Sequence, residues 1–203
     1  YYRRESTVIY PPVDCDYFQP HAVQRDGAYY LMVTAMAPYK RVDLAIEAFN
    51  RMGHPLMIVG DGPGIHDLKK RAKKNIEFLG WQTDARIREY YQGCRAFVFP
   101  GNVDFVMTPV EAQACGRPVI AYGAGGALET VRPLSGDEPT GIFFREPSPE
   151  SLMEAVGELE RNLGRFDPKR CRENALLFDR KRFREKIRSF IEGKVQETSL
   201  AEK

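Results

Sequence analysis

Asp104 to Ala121 read DFVMTPVEAQACGRPVIA. The stretch begins just after one apolar run, AFVFP (96–100), and ends inside a second, PVIAY (118–122), with a helical pattern, TPVEAQAC, between them. Strands that short and apolar throughout are buried on both faces, and a helix joining two of them is the crossover of a parallel sheet. A single carboxylate, Glu111, sits in the otherwise apolar or small helical part.

The same unit repeats outward in both directions. Upstream, YYLMVTA precedes the helical RVDLAIEAFNRM, with Val42, Ala45, Ile46 and Phe49 on one face. PLMIVG then precedes IHDLKKRAKK, and NIEFLG precedes DARIREYYQGC. Downstream, RPVIAY leads to a short GALETV, and GIFF supplies a last strand. A first run, STVIY, also reads as a strand, before the proline-broken loop PPVDCDYFQP. The pattern predicts a doubly wound, Rossmann-like parallel α/β sheet. From Ser148 onward the chain reads as helix: SPESLMEAVGELERNL with Ser148 as N-cap, then DPKRCRENALLF and DRKRFREKIRSFIEG, each opened by an aspartate. The tail KVQETSLAEK is polar and is expected to fray.

Composition narrows the function. The 203 residues are 43% hydrophobic, enough for one sizeable core. Thirty basic against twenty-eight acidic residues give no global field for nucleic acid or an anionic membrane. Cys15, Cys94, Cys115 and Cys171 are far apart without a C-x-x-C pair, which predicts reduced, core-packed thiols and a cytoplasmic setting. His21, His54 and His66 lack ligand spacing, so no metal is expected. No signal peptide or apolar span is visible, and the start at Tyr1-Tyr2-Arg3-Arg4 suggests a piece of a longer protein.

Ligands of a doubly wound sheet sit outside the carboxyl ends of its strands, so the loops there carry the chemistry. Lys40, in TAMAPYKR, is placed to meet a phosphate at a helix start, or is a solvated cation. Gly60 and Gly62, in GDGPG, permit close approach to a phosphate or simply make a tight turn. Trp81 and Gln82, in GWQT, offer a wall for a nucleobase or a roof for the core. YGAGGA fits a ligand approach and a crowded turn equally. Thr108, Pro109 and Glu111 have the spacing of a capping box, with Thr108 as N-cap and Glu111 reaching back to it. Alternatively Glu111 accepts hydrogen bonds from both hydroxyls of a ribose, while amides near Met107 and Thr108 receive a diphosphate. Spacing alone leaves both readings open.

VIYPPVDCDYF, PYKRVDLAIEAF, IVGDGPGIHDLKK, NIEFLGW, AFVFP, TPVEAQACGRPVIAYGAGGALETV and GIFF, in that order, resemble the C-terminal, donor-binding domain of family 4 retaining glycosyltransferases with the GT-B fold. The wording is most similar to surface-polysaccharide mannosyltransferases and covers roughly residues 7–160. The resemblance implies that the whole chain, 1–203, is one donor-binding domain, half of a GT-B fold. Residues 1–20 would lie near the linker and 168–193 would form C-terminal helices, with the acceptor-binding N-terminal domain absent. It implies that Lys40 binds the donor diphosphate and Glu111 the ribose, with the Met107 and Thr108 amides on phosphate. Trp81 and Gln82 would flank the base, and Gly60 and Gly62 would line the cleft. The donor would be a nucleotide sugar, with GDP-mannose expected, and the acceptor a glycan or lipid-linked glycan; no cofactor, metal or nucleic acid is implied. The full-length enzyme would be cytoplasmic or peripheral at the inner membrane face, and this piece alone inactive.

Three positions depart from the pattern. The glutamate expected eight residues before Glu111, facing the transferred sugar, is Val103; the glycine after the phenylalanine is Val106; an arginine five residues before Lys40 is Ala35. Val103 cannot hydrogen-bond a sugar, and Val106 disfavours any positive φ a glycine supplies. Asp104 is a partial substitute at the wrong offset. The alternatives are a degenerate nucleotide-binding module without transfer activity and another GT-B enzyme such as a nucleotide-sugar epimerase. Phe183, Ile187 and Phe190 fall at helical spacing, as intradomain core or as a face for the missing domain.

Overall fold

The computed structural model describes residues 6–22 and 27–201. Six strands, β1 (Tyr30–Val33), β2 (Leu56–Val59), β3 (Ile76–Gly80), β4 (Ala96–Phe99), β5 (Val119–Tyr122) and β6 (Gly141–Phe144), form one sheet in the order β3-β2-β1-β4-β5-β6. Every neighbouring pair is parallel. Helices α1 (Val42–Met52), α2 (Ile65–Arg71), α3 (Asp84–Gly93), α4 (Met107–Ala114) and α5 (Ala127–Thr130) make the crossovers, and α6 (Pro149–Arg161), α7 (Pro168–Ala175) and α8 (Arg180–Ala201) follow the sheet.

The uninterrupted apolar strands are buried on two faces, as parallel sheets require. One layer packs α1 and α6 on the sheet through Leu44, Ile46, Phe49, Leu152, Val156 and Leu159, with α2 joining through Ile65 and Leu68. The opposite layer gathers Tyr91 of α3, Val110 and Ala112 of α4, Ala127 of α5 and Ala175 of α7. Right-handed crossovers put α1 and α2 on one face and α3 to α5 on the other, so the winding reverses between β1 and β4. That switch point opens a crevice at the carboxyl edge of the sheet.

Among the described residues, side-chain caps mark four of the eight α-helix starts. Ser148 Oγ accepts from Ser151 N at 3.2 Å and Asp167 Oδ1 from Lys169 N at 2.8 Å. Asp179 Oδ1 accepts from Lys181 N at 2.8 Å, and Thr83 Oγ1 from Arg86 N at 3.4 Å. All four cysteines are buried and free.

Three expectations are corrected. STVIY is not a strand: the chain passes extended over the surface until Val13 bridges to Asp179 outside the sheet, with Val13 N on Phe178 O at 2.9 Å. Its neighbours are aromatic rather than a strand edge, since Tyr10 stacks on Phe105 at 5.6 Å and meets Phe178 at 5.3 Å. Second, α2 stops at Arg71 instead of running through KKRAKK, because the chain turns there to enter β3. Third, the tail expected to fray continues α8 to Ala201, supported by the Lys194–Glu197 pair one turn apart at 2.7 Å. The opening Tyr1–Arg4 and the last two residues, Glu202 and Lys203, lie outside the described residues.

Among the described residues no helix is long and apolar enough to cross a membrane. On α8, Phe183 and Ile187 are half-buried, whereas Phe190, Ile191 and Val195 stand exposed.

Candidate functional site

The structure removes one of the two readings left open for Glu111, the capping box. α4 begins at Met107, so Thr108 is inside the helix and not its cap; the cap position is Val106, which supplies no side-chain bond. The third helical position, where a capping-box glutamate belongs, is Pro109, and Glu111 is the fifth residue. The buried Thr108 hydroxyl has no hydrogen-bond partner. The carboxylate of Glu111 turns instead to α3, where the Tyr91 hydroxyl donates to Oε2 at 2.9 Å. Burial pushes the Glu111 carboxyl up to about 7, offset in part by the Tyr91 hydrogen bond and reinforced by the charge of Asp84.

The orientation of α4 is fixed from behind by a buried polar network. Gln113 Nε2 donates to Thr130 O at 2.9 Å, and Asn174 Nδ2 donates to Gln113 Oε1 at 2.7 Å and to Thr130 O at 2.8 Å. Arg172 closes the far end, donating to Ala114 O at 3.0 Å at the helix C-terminus. With Gln113 locked inward on this side, Glu111 is held against α3.

The strand-end loops are knitted together in sheet order. Gly60 N donates to Gly80 O at 2.8 Å, Met36 N to Asp61 O at 3.1 Å, and Gly126 N to Val103 O at 2.8 Å. The glycines are explained by this crowding: a Cβ on Gly60 would lie 2.0 Å from Thr34 O, and one on Gly126 would lie 2.1 Å from Asp104 O. Gly60 also holds φ +123, as a side chain rarely does. Gly62 likewise abuts Met36, so for GDGPG and YGAGGA loop packing is the role the geometry displays.

Lys40 ends a 3-10 turn (Pro38–Lys40) after β1, and its Nζ lies over the rings of Tyr39 (5.2 Å) and Phe99 (5.7 Å). Burial lowers its pKa. Its Cα would stand 3.2 Å from a Cβ on Gly101, just past β4, so Lys40 and the β4–α4 segment flank the switch point. Arg41, the next residue, is held at φ 52. Trp81 is 75% exposed at the end of β3, so it does not roof the core. Gln82 turns its amide to Leu79 O at 2.7 Å. Met107 is 47% exposed at the first turn of α4, whose amides have no intrahelical partner and no capping side chain.

Asp104 is exposed, and its carboxylate has no partner among the described residues. Val103 and Val106 pack against the core layer under α4, and Val106 adopts φ −138, ψ 128. The expected conflict with a positive φ is therefore absent. A groove of about 760 Å³ opens on the far side of the same loops, between α1 and α2, lined by Met36, Pro38, Val42, Pro63 and Leu68. It contains neither Lys40 nor Glu111, and of the GDGPG loop only its last two residues, Pro63 and Gly64.

The sequence reading missed Tyr91. The available signal was a tyrosine on the inward face of α3, whose buried hydroxyl must find an acceptor. Among the described residues no group of His, Cys, Asp or Glu gathers as metal ligands do.

Residues 15–178 match the family described as Glycosyl transferases group 1. An uncharacterized glycosyltransferase of Methanocaldococcus jannaschii is 31% identical over 142 residues, 68% of this chain and 39% of that protein. The O-antigen chain mannosyltransferase C of Escherichia coli is 28% identical over 66% of this chain and 37% of its own length. Anabaena HepE, solved in complex with UDP and glucose, superimposes with a TM-score of 0.77 at 19% identity, over 92% of this chain and 56% of that one. The chain thus spans about two fifths of the length of these curated relatives. With the match covering most of its sequence, this chain belongs to the group 1 glycosyl transferases.

Proposed function

We propose that this chain is the donor-binding half of a retaining hexosyltransferase, taking a nucleoside diphosphate sugar at the β1/β4 switch point. The observation that carries the reading is Glu111, a half-buried carboxylate with no capping duty, held by Tyr91 at the start of α4. In this reading Glu111 accepts hydrogen bonds from the ribose hydroxyls. The first-turn amides of α4 at Met107 and Thr108, with Lys40 across the switch point, receive the diphosphate. The same positive groups stabilise the charge that develops on the departing nucleoside diphosphate, without calling on a metal ion. The exposed Trp81 and the neighbouring backbone of Gln82 flank the base.

GDP-mannose is the expected donor, consistent with the mannosyltransferase among the relatives. HepE, with UDP and glucose, supports a UDP-hexose as the second reading. The acceptor, a glycan or lipid-linked glycan of surface polysaccharide synthesis, binds to the missing N-terminal domain, and the complete enzyme works at the cytoplasmic membrane face. Calorimetric titration of the chain with GDP, UDP, ADP and their sugars tests the proposal: GDP binds without magnesium, and Lys40→Ala and Glu111→Ala both weaken it. Equal affinity in wild type and both variants overturns it.

A further inference from the structure

Glu111 belongs to α4, yet the group that fixes its carboxylate comes from α3. A glutamate side chain has three rotatable bonds, and freezing them when a ligand arrives costs affinity. Here one oxygen is already engaged: Tyr91 donates to Oε2 at 2.9 Å, which leaves Oε1 and the remaining lone pairs to other donors. The donor cannot drift. Tyr91 is fully buried, with its ring edge-on to Phe18 at 5.8 Å and tilted against Phe97 at 5.7 Å, so two other segments of the fold hold it besides its own helix. A tyrosine that served only to fill the core would not need this hydroxyl, and phenylalanine would pack in the same space.

We propose that Tyr91 is a positioning residue for the nucleotide: its hydroxyl sets the carboxylate of Glu111 in the orientation that receives the ribose hydroxyls. The proposal rests on the donor-binding reading above. The other ionisable groups bearing on the pair are Asp84 at the start of α3, whose charge opposes ionisation of Glu111, and the buried thiols of Cys94 and Cys115 behind it. Arg117 lies near both thiols. Of these, Tyr91 alone favours the charged form of Glu111, so removing its hydroxyl raises the pH at which the carboxylate becomes available.

The test is calorimetric titration of the 203-residue chain with GDP and UDP between pH 5.5 and 8.5, using wild type, Tyr91→Phe, Glu111→Ala and the double variant. Tyr91→Phe is expected to lose roughly tenfold in affinity at pH 7. Its pH midpoint of binding moves up, and the loss disappears when Glu111 is already alanine. A role in packing alone would move neither the midpoint nor the coupling. Wild-type affinity and midpoint in Tyr91→Phe, or an equal loss with and without Glu111, overturns the proposal while the donor reading stands. If neither nucleotide binds, or Glu111→Ala binds like wild type, both are overturned. If Tyr91→Phe fails to fold, 3-fluorotyrosine at position 91, a stronger donor of nearly the same shape, gives the answer: the midpoint moves down, or the proposal is wrong.

Discussion

Two positions eight residues apart on the β4–α4 segment have opposite surroundings. Glu111 is a charge inside a largely apolar layer, with a hydrogen-bond donor built in behind it. Val103, where the family resemblance implies a second glutamate, is apolar and packs into the same layer, its carbonyl tied to Gly126 N at 2.8 Å. Keeping a carboxylate half-buried costs folding free energy, and folding alone gives no reason to keep it. In the proposed donor-binding reading, the contrast separates a nucleotide side organised for a ligand from a sugar side organised by packing.

The sharpest way to break that contrast is Glu111→Ala, for which nucleotide affinity measured by calorimetry should fall by about 100-fold, as expected when a charged hydrogen-bond acceptor is removed. Lys40→Ala should cost about tenfold, because one cation is lost while the α4 amides remain. The pH dependence gives a further test. The folded pKa of Glu111, about 7, lies above its ordinary value of 4.5, so the folded chain holds this proton more tightly than the unfolded chain. Its ionisation therefore weakens folding as pH rises from 4.5 through 7, while nucleotide binding strengthens over the upper part of that window. Glu111→Gln should consequently be more stable than wild type at pH 8, by about 1 kcal/mol in urea melts, though weaker in binding. The smallest expected effect is that of Val103→Glu, which should change GDP affinity by less than about twofold, since in the proposed reading the position lies on the sugar side and not the nucleotide side. In a full-length enzyme, Val103→Glu together with Val106→Gly should raise transfer activity; no gain there would favour a degenerate module.

The strand–helix alternation was readable because it depends on local periodicity: apolar runs of four to six residues became β1 to β6, and Ser148, Asp167 and Asp179 cap the helices they precede. STVIY misled for a non-local reason. Its composition suits a strand, but a strand needs an edge to pair with, and this segment meets Phe105 and Phe178 through Tyr10 instead. α8 was readable as a helix, whereas the exposure of Phe190, Ile191 and Val195 along it could not be read from spacing that suits core and surface alike.

The amino-acid sequence by itself determined the alternation of elements, the free buried cysteines and the residue types that reach the carboxyl edge of the sheet, because each follows from short-range pattern and burial. Only the tertiary structure decided that Glu111 does not cap α4. Phe105 is anchored against Tyr10 and Phe178, Val103 is tied to the β5–α5 loop, and Val106 is left extended, so α4 starts two residues earlier than a cap at Thr108 requires. That displacement removes the capping box, and Tyr91, twenty residues away in the chain, takes up the carboxylate. Contacts between distant segments fix where a helix begins, and no local spacing rule contains them.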